Sequence, residues 1–482
     1  MKSKFIFALG LMSCLAFSQE KDSTEIVYKK RVLESIEVDF LASYYKQDGI
    51  HSSVSGGMGS EKLTDLASNI TIAIPLNDDD VLTVDMGISA YTSASSSNIN
   101  PFNSSGASGG DDDDDDDDDD RRAPVDGPYG TPWQASSGAS AQDALTAVVV
   151  NYSHSSDDRN FIWNADVAFS NEYDYTSIGF GGGVSKLFNN KNTEISLKGN
   201  VYLDQWRPIY ATELHEYAKY GSGFQSNGFF SGVTILDQNG NASTAYLPSD
   251  FTTWNSTNRN SYSASFGFSQ VATKKMQFSL FFDILHQEGM LSTPYHRVYF
   301  ADKANYYIGQ AADIPVYETT QNTGVYQLAD DIERLPNTRF KIPVGARLNY
   351  YLNERLTLRT YYRYYWDDWG ITSNTASIEL PIKLSERFTV FPSYRYYTQE
   401  QSKFFAPFET HLSTEKYYTS DYDLSTFNAH QYGFGLNYTD IFANAKIWKF
   451  GLKNIDFRFN HYDRNDGLSA NIVTFGVKFV QQ

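Results

Sequence analysis

From residue 36 onward the chain repeatedly alternates apolar and polar side chains with a period of two, over stretches of about ten residues. Period two is the mark of a strand whose two faces meet different surroundings. A chain made almost wholly of such strands must also pair or hide every strand edge. At 36–45, Ile36, Val38, Phe40 and Ala42 share one face, and Glu37, Asp39 and Ser43 share the other. Leu82, Val84, Met86 and Ile88 alternate with Thr83, Asp85, Gly87 and Ser89. The pattern returns at Phe161, Trp163, Ala165, Val167 and Phe169, at Ile195, Leu197, Val201 and Leu203, and at Met276, Phe278, Leu280, Phe282 and Ile284. Phe340, Ile342, Val344, Ala346 and Leu348 form a further apolar face, and so do Val473, Phe475, Val477 and Phe479 near the end of the chain.

The connections fall into two interleaved classes. Short, turn-rich ones lie around 78–80, 155–159, 189–192, 272–275, 353–354 and 385–387, with 439–453 a longer exception. Long ones lie around 46–64, 93–141, 205–258, 287–336 and 398–427. Long and short in strict alternation is what a transmembrane barrel with short periplasmic turns and long extracellular loops produces, and a soluble sandwich or propeller does not. Composition agrees. Aromatics make up 16% of the 482 residues, with 35 Tyr and 33 Phe, yet hydrophobic residues total only 41%. Mean hydropathy is −0.44. The sequence beyond the leader holds no apolar run of about twenty residues, which a helical span would need. The reading is all-β: a transmembrane antiparallel up-and-down β-barrel of about sixteen strands over 36–482, preceded by a periplasmic segment at 19–35.

Residues 1–18 read as a secretory signal peptide: Lys2 and Lys4, an apolar stretch at 5–17, then Ala16-Phe17-Ser18 before Gln19. Leu11-Met12-Ser13-Cys14 offers a lipoprotein box as the rival reading. Cys14 is the only cysteine, so cleavage after Ser18 leaves a chain without disulfides or thiolate metal ligands.

The net charge of −19 owes ten units to one uninterrupted Asp run at 111–120, inside the loop 93–141. Without a basic patch, and with that sign of charge, nucleic acid is excluded as a partner. The run stays solvated and extended. Its side chains, among them Asp111, Asp113, Asp115, Asp117 and Asp119, are candidates for weak capture of Ca²⁺ or Mg²⁺, though ten identical residues impose no coordination geometry. The polar faces yield a second candidate site. Glu37, Asp39, Asp85, Asp166 and Asp204 lie on early strands; Arg347, Arg359, Arg363, Arg395 and Arg458 lie on late ones. In a closed barrel those groups face one another across the lumen, and an acidic wall opposite a basic one biases polar solutes. Two arrangements stay open: a conducting lumen, or charges paired with each other and with infolded loops. Catalysis finds no support: the eight histidines are scattered, and no HExxH or phosphate-binding glycine loop occurs. Clusters such as Tyr361-Tyr362-Arg363-Tyr364-Tyr365-Trp366 fit an interfacial aromatic girdle. Gly181-Gly182-Gly183 within a strand relieves crowding or marks a bulge.

Several segments carry a family resemblance: Glu37-Val38-Asp39 with Tyr45-Lys46-Gln47-Asp48-Gly49, Gly56-Gly57-Met58-Gly59-Ser60-Glu61, Tyr91-Thr92-Ser93-Ala94-Ser95, Ser137-Gly138-Ala139-Ser140 and Ser170-Asn171-Glu172-Tyr173-Asp174-Tyr175-Thr176-Ser177. Through them almost the whole chain resembles a family of Gram-negative outer-membrane proteins catalogued as a domain of unknown function. The resemblance implies an outer-membrane barrel with no established activity. It also implies genes beside extracytoplasmic thioredoxin-like and flavin-transferase proteins, hence a redox or metal-handling partner. The chain departs from barrel habit at its end, where Phe479 is followed by Val480-Gln481-Gln482 instead of closing on an aromatic residue. Two functions are expected from these features, neither enzymatic: a porin-like channel for small polar solutes or ions, or a non-conducting scaffold embedded in outer-membrane lipid. In the second, the long loops bind a surface or periplasmic protein partner or divalent cations.

Overall fold

Strand alternation becomes sheet register in the computed structural model, which describes residues 31–92, 142–172, 174–317 and 325–482. The signal peptide, most of the 19–35 segment and the Asp run with its loop lie outside the described residues. Sixteen crossing strands form a closed antiparallel barrel. They are β1 (Glu37–Asp48), β2 (Leu63–Pro75), β3 (Asp80–Thr92), β4 (Gln142–Ser155), β5 (Phe161–Asn171), β6 (Tyr175–Phe188), β7 (Thr193–Trp206) and β8 (Thr257–Thr273). The second half comprises β9 (Met276–Gly289), β10 (Thr338–Asn353), β11 (Leu356–Asp367), β12 (Thr372–Glu379), β13 (Phe388–Gln399), β14 (Phe427–Thr439), β15 (Phe450–Arg464) and β16 (Ser469–Gln481). Each strand pairs with its neighbours in sequence, and β1 closes the ring on β16 from Glu37 opposite Val480 to Asp48 opposite Ser469. Closure removes both edges, as a membrane-spanning sheet requires, because unpaired backbone groups in hydrocarbon cost several kcal/mol each.

The register sorts the side chains into two shells. Val84 stands beside Ile72 and Val150, while Asp85, one residue on, stands beside Thr71 and Val149. The outer shell is apolar and exposed: Met86, Val150, Val167, Phe180, Leu197, Phe282, Val344, Phe434 and Phe475 all present their side chains outward. So large an exposed apolar surface belongs against lipid. Tyr362, Tyr364 and Trp366 join that outer face, which is where girdle residues sit.

The short turns explain themselves chemically. Asn77 Oδ1 accepts from the backbone N–H groups of Asp79 and Asp80 at 2.8 and 2.9 Å, closing the β2–β3 hairpin. Asn189, Asn190 and Lys191 adopt positive φ values of 50°, 55° and 68°, the left-handed geometry that matches the strand twist of a tight hairpin. Strict long–short alternation does not hold. At the end bearing the long loops, connections 172–174, 368–371 and 465–468 are short. Polar side chains make these turns tight: Asp367 Oδ1 accepts from Ile371 N at 3.0 Å, and Arg464 binds Asp466 across its own turn.

The buried apolar core lies in the long loops, above the barrel. Residues 207–256, 290–317, 325–337 and 400–426 fold over one mouth as a cap. The cap contains α1 (Thr212–Tyr220) and a three-stranded sheet, in which Tyr306–Gly309 pairs with Val325–Leu328 and with Leu236–Asp237. One cluster gathers Phe224, Phe230, Ile235, Tyr246, Ile308 and Leu328; another gathers Tyr210, Ala211, Leu214, Tyr299, Ala329 and Ile332. Edge-on ring contacts such as Phe224–Phe230 at 5.2 Å order the first cluster. None of the described helices is long and apolar enough to cross a membrane.

Candidate functional site

The inner shell is identified by what it meets. Arg259 of β8, Gln287 of β9 and Arg339 of β10 line one cavity of about 130 Å³ together with Leu291, Glu333 and Asp421 from the cap. Register then carries that face around the ring. Gln287 stands opposite Ser261, Ser279 opposite Arg347, Arg347 opposite Tyr361 and Arg359 opposite Glu379. All ten charged residues named from sequence lie on this inner face. Counted by strand, acids dominate β1 to β7 and cations dominate β10 to β15. In a ring of sixteen, those arcs face one another.

The ion pairs these residues form run along the wall. Glu37 binds Lys478 at 2.7 Å and Lys453 at 3.1 Å, and Asp39 binds Lys478 at 2.9 Å. Asp85 accepts from Asn69 Nδ2 at 2.7 Å and Thr71 Oγ1 at 2.6 Å. Asp166 is 3.9 Å from Lys198. Arg359 and Arg458 share Glu379 at 2.8 and 3.0 Å, and both guanidinium groups lie over the Phe391 ring. Arg347 lies over the rings of Phe281 and Tyr361. Arg363 and Arg395 form no ion pair among the described residues, and Arg363 Nε is buried without a hydrogen bond. Among the described residues one ion pair joins the two arcs, Glu37–Lys453, and it runs along the wall past β16, beside the seam where the ring closes.

Glycines clear space for these groups. A Cβ on Gly181 would collide with the Asp166 carboxylate and the Asn200 amide oxygen, and one on Gly183 would crowd Asn164. The triple glycine of β6 therefore relieves crowding.

Inner-face exposure falls toward the cap. On β7, the Lys198 side chain is 49% exposed, whereas Asp204 is 7% and Trp206 6% exposed. On β11, Arg359 is 49% exposed and Asp367 is fully buried. The lumen is solvated at the short-turn end and filled at the cap.

Sequence reasoning missed the polar framework of that cap. Arg297 Nε donates to Glu213 Oε1 at 2.8 Å, and Nη2 donates to Oε2 at 3.2 Å, both side chains having no solvent exposure. Arg297 Nη1 also donates to Val54 O at 3.1 Å, and Ala329 N donates to Glu213 Oε1 at 3.2 Å, so one ion pair joins three loops. Nearby, Tyr418 Oη donates to Asp331 at 2.5 Å and Thr419 Oγ1 donates to Glu333 at 2.5 Å. Burial pushes the Asp330 and Asp421 carboxyls up to about 7, the second also through repulsion by Asp423. Burial lowers the His296 pKa, but the adjacent Glu333 carboxylate, with Asp421 and Asp423 beyond it, outweighs burial and raises the value. No motif spacing connects these residues. The available signal was compositional: Tyr210, Leu214, Phe224, Phe229, Phe230, Ile235 and Leu236 are too apolar for a solvated loop.

Asp174 accepts from the Trp206 indole at 3.0 Å, and His286 lies on the outer face against Tyr262.

No curated protein matches the chain. Among solved structures it is similar to a bacterial polysaccharide outer membrane secretin, at 10% identity over 94% of this chain and 100% of that one, with a TM-score of 0.41. A TodX monoaromatic hydrocarbon channel deltaS2 mutant is similar at 8% identity over 93% and 90%, with a TM-score of 0.37. A ferric enterobactin receptor (PfeA) mutant from Pseudomonas aeruginosa is similar at 8% identity over 90% of this chain and 54% of that one, also with a TM-score of 0.37. The sequence itself is more decisive: the family described as protein of unknown function (DUF3570) matches residues 6–474, nearly the whole chain, and the chain belongs to that family.

Proposed function

We propose that this barrel is an outer-membrane channel for small polar solutes or ions, entered freely from the periplasm and governed at its outer mouth by the cap. On this reading residues 1–18 are removed on export, the short turns are periplasmic, and 93–141 is an extracellular loop whose Asp run collects Ca²⁺ or Mg²⁺ weakly. No catalytic role is assigned. The observation that supports the channel is the division of the lumen: among the described residues Arg363 and Arg395 form no ion pair, and the single pair between the arcs, Glu37–Lys453, runs along the wall at the closing seam. Charged groups left facing water at close quarters select permeant ions. In planar bilayers the purified protein should give discrete conductance steps, and Arg363→Ala with Arg395→Ala should shift selectivity away from anions. Silence over a wide voltage range, in the wild type and in a variant with a loosened cap, would refute the reading. A second reading draws on the cap's own hydrophobic core. The cap is then a docking surface for a surface partner, which should be recovered stoichiometrically from native membranes.

A further inference from the structure

We propose that His296, Glu333 and Asp421 form a binding site for a divalent transition-metal ion of the zinc type on the floor of the cap. One donor atom from each residue lies within 4.8 Å of the other two. The His296 ring is already oriented, because its Nε2 shares a hydrogen bond of 3.1 Å with Ser53 Oγ. The opposite nitrogen, Nδ1, is buried and makes no hydrogen bond. It stands 3.5 Å from Glu333 Oε2. An ion held about 2.1 Å from an imidazole nitrogen and a carboxylate oxygen at a tetrahedral angle keeps those atoms about 3.4 Å apart. The first two donors are therefore at coordination spacing, and Asp421 needs only a small side-chain movement to complete a face of the polyhedron.

The surroundings supply what such a site requires. Glu333, only 3% exposed at its side chain, is fixed from both sides: Thr293 N donates to Oε1 at 2.7 Å and Thr419 Oγ1 to Oε2 at 2.5 Å. Hydrogen bonds of this kind, together with the one on His296, are the outer shell that orients metal ligands. Glu333 and Asp421 also line the cavity of about 130 Å³, which has room for water as a further ligand. Of the two arginines lining that cavity, Arg339 is engaged by Asp367 at 2.9 and 2.5 Å, and Arg259 lies over the Trp206 ring. An imidazole donor with few protein ligands favours Zn²⁺ over Ca²⁺, which takes six to eight oxygens. Bound there, the ion would tie loop 290–337 to loop 400–426, with Ser53 adding loop 49–62 through the imidazole.

The test uses the full-length protein in detergent, stripped with a chelator and titrated with Zn²⁺ by calorimetry and with Co²⁺ by visible absorption. One saturable site is expected, with a ligand-field band, above any weak background from the Asp run. A parallel titration of a variant with residues 111–120 replaced by Ser removes that background and should keep the site. His296→Ala should weaken binding about 100-fold or more and abolish the band, since loss of an outer-shell partner alone costs 10–100-fold. Asp421→Asn preserves shape and should weaken binding as well, which keeps the proposal testable if Glu333→Gln fails to fold. Heat-modifiable gel migration confirms an intact barrel in each variant. Absence of a saturable site in the wild type would overturn the proposal, and so would wild-type affinity in both His296→Ala and Asp421→Asn.

Discussion

Replacing Glu213 with Ala should unlock the cap while leaving the barrel wall closed. The carboxylate meets Arg297 through two hydrogen bonds of 2.8 and 3.2 Å, with neither side chain exposed. Its removal strands a guanidinium that still donates to Val54 O but has lost its counter-charge, and it also leaves Ala329 N without an acceptor. Breaking one side of a buried pair costs roughly 3–5 kcal/mol. Because local openings are governed by local free energy, amide exchange in the cap should accelerate roughly a hundred- to several-thousand-fold. Hydrogen exchange read by mass spectrometry on peptides from 207–256 and 290–337, in the detergent-solubilised barrel, measures this directly. Peptides from β2 to β7 serve as the internal reference and should not change. The double replacement Glu213→Leu with Arg297→Met removes both charges and fills the space with apolar atoms, so it should recover most of the loss. An acceleration below about tenfold, or a double variant no better than the single one, would refute the claim that this pair holds the loops together.

Phe230, fully buried against Phe224, should cost about 3–5 kcal/mol when replaced by Ala, seen as faster exchange across 221–236 and no change in the gel shift of the barrel. Gly181→Val drives a branched side chain into Asp166 and Asn200 and should destabilise the barrel by about 1–3 kcal/mol, typical of overpacking, read as a lower unfolding temperature on heat-modifiable gels. The raised pKa of Asp330 means that the folded cap holds this proton more tightly than the unfolded chain does. Its contribution to cap stability is complete below 3.8 and is lost as pH rises to about 7. Asp330→Asn should flatten that part of the cap's pH profile in exchange experiments, and an unaltered profile would contradict the assignment.

The wall was legible because a strand writes its environment into sequence every second residue. Val84 and Asp85 could be assigned to opposite shells from the alternation alone, and closure then fixed which acids stand across from which arginines. The cap was not legible, because nothing local records it. Glu213 and Arg297 lie 84 residues apart, and Thr419 reaches Glu333 over 86. Loops have no period, so a buried loop residue looks like an exposed one until its partner is known. The density of Phe and Tyr in 207–256 was the one local sign that this segment must hide surface. It could not say against what, since the packing partners Tyr299, Ile308 and Leu328 belong to another loop. The same reasoning divides the functional question. A charged inner wall built by short-range alternation can set which solutes prefer the lumen, but it cannot close the lumen. Closure depends on contacts such as Arg297–Glu213 and Thr419–Glu333, which form only when separate loops meet. On the proposed channel reading, selectivity and gating should therefore respond to different substitutions, the first to changes on β10 to β15 and the second to changes in the cap.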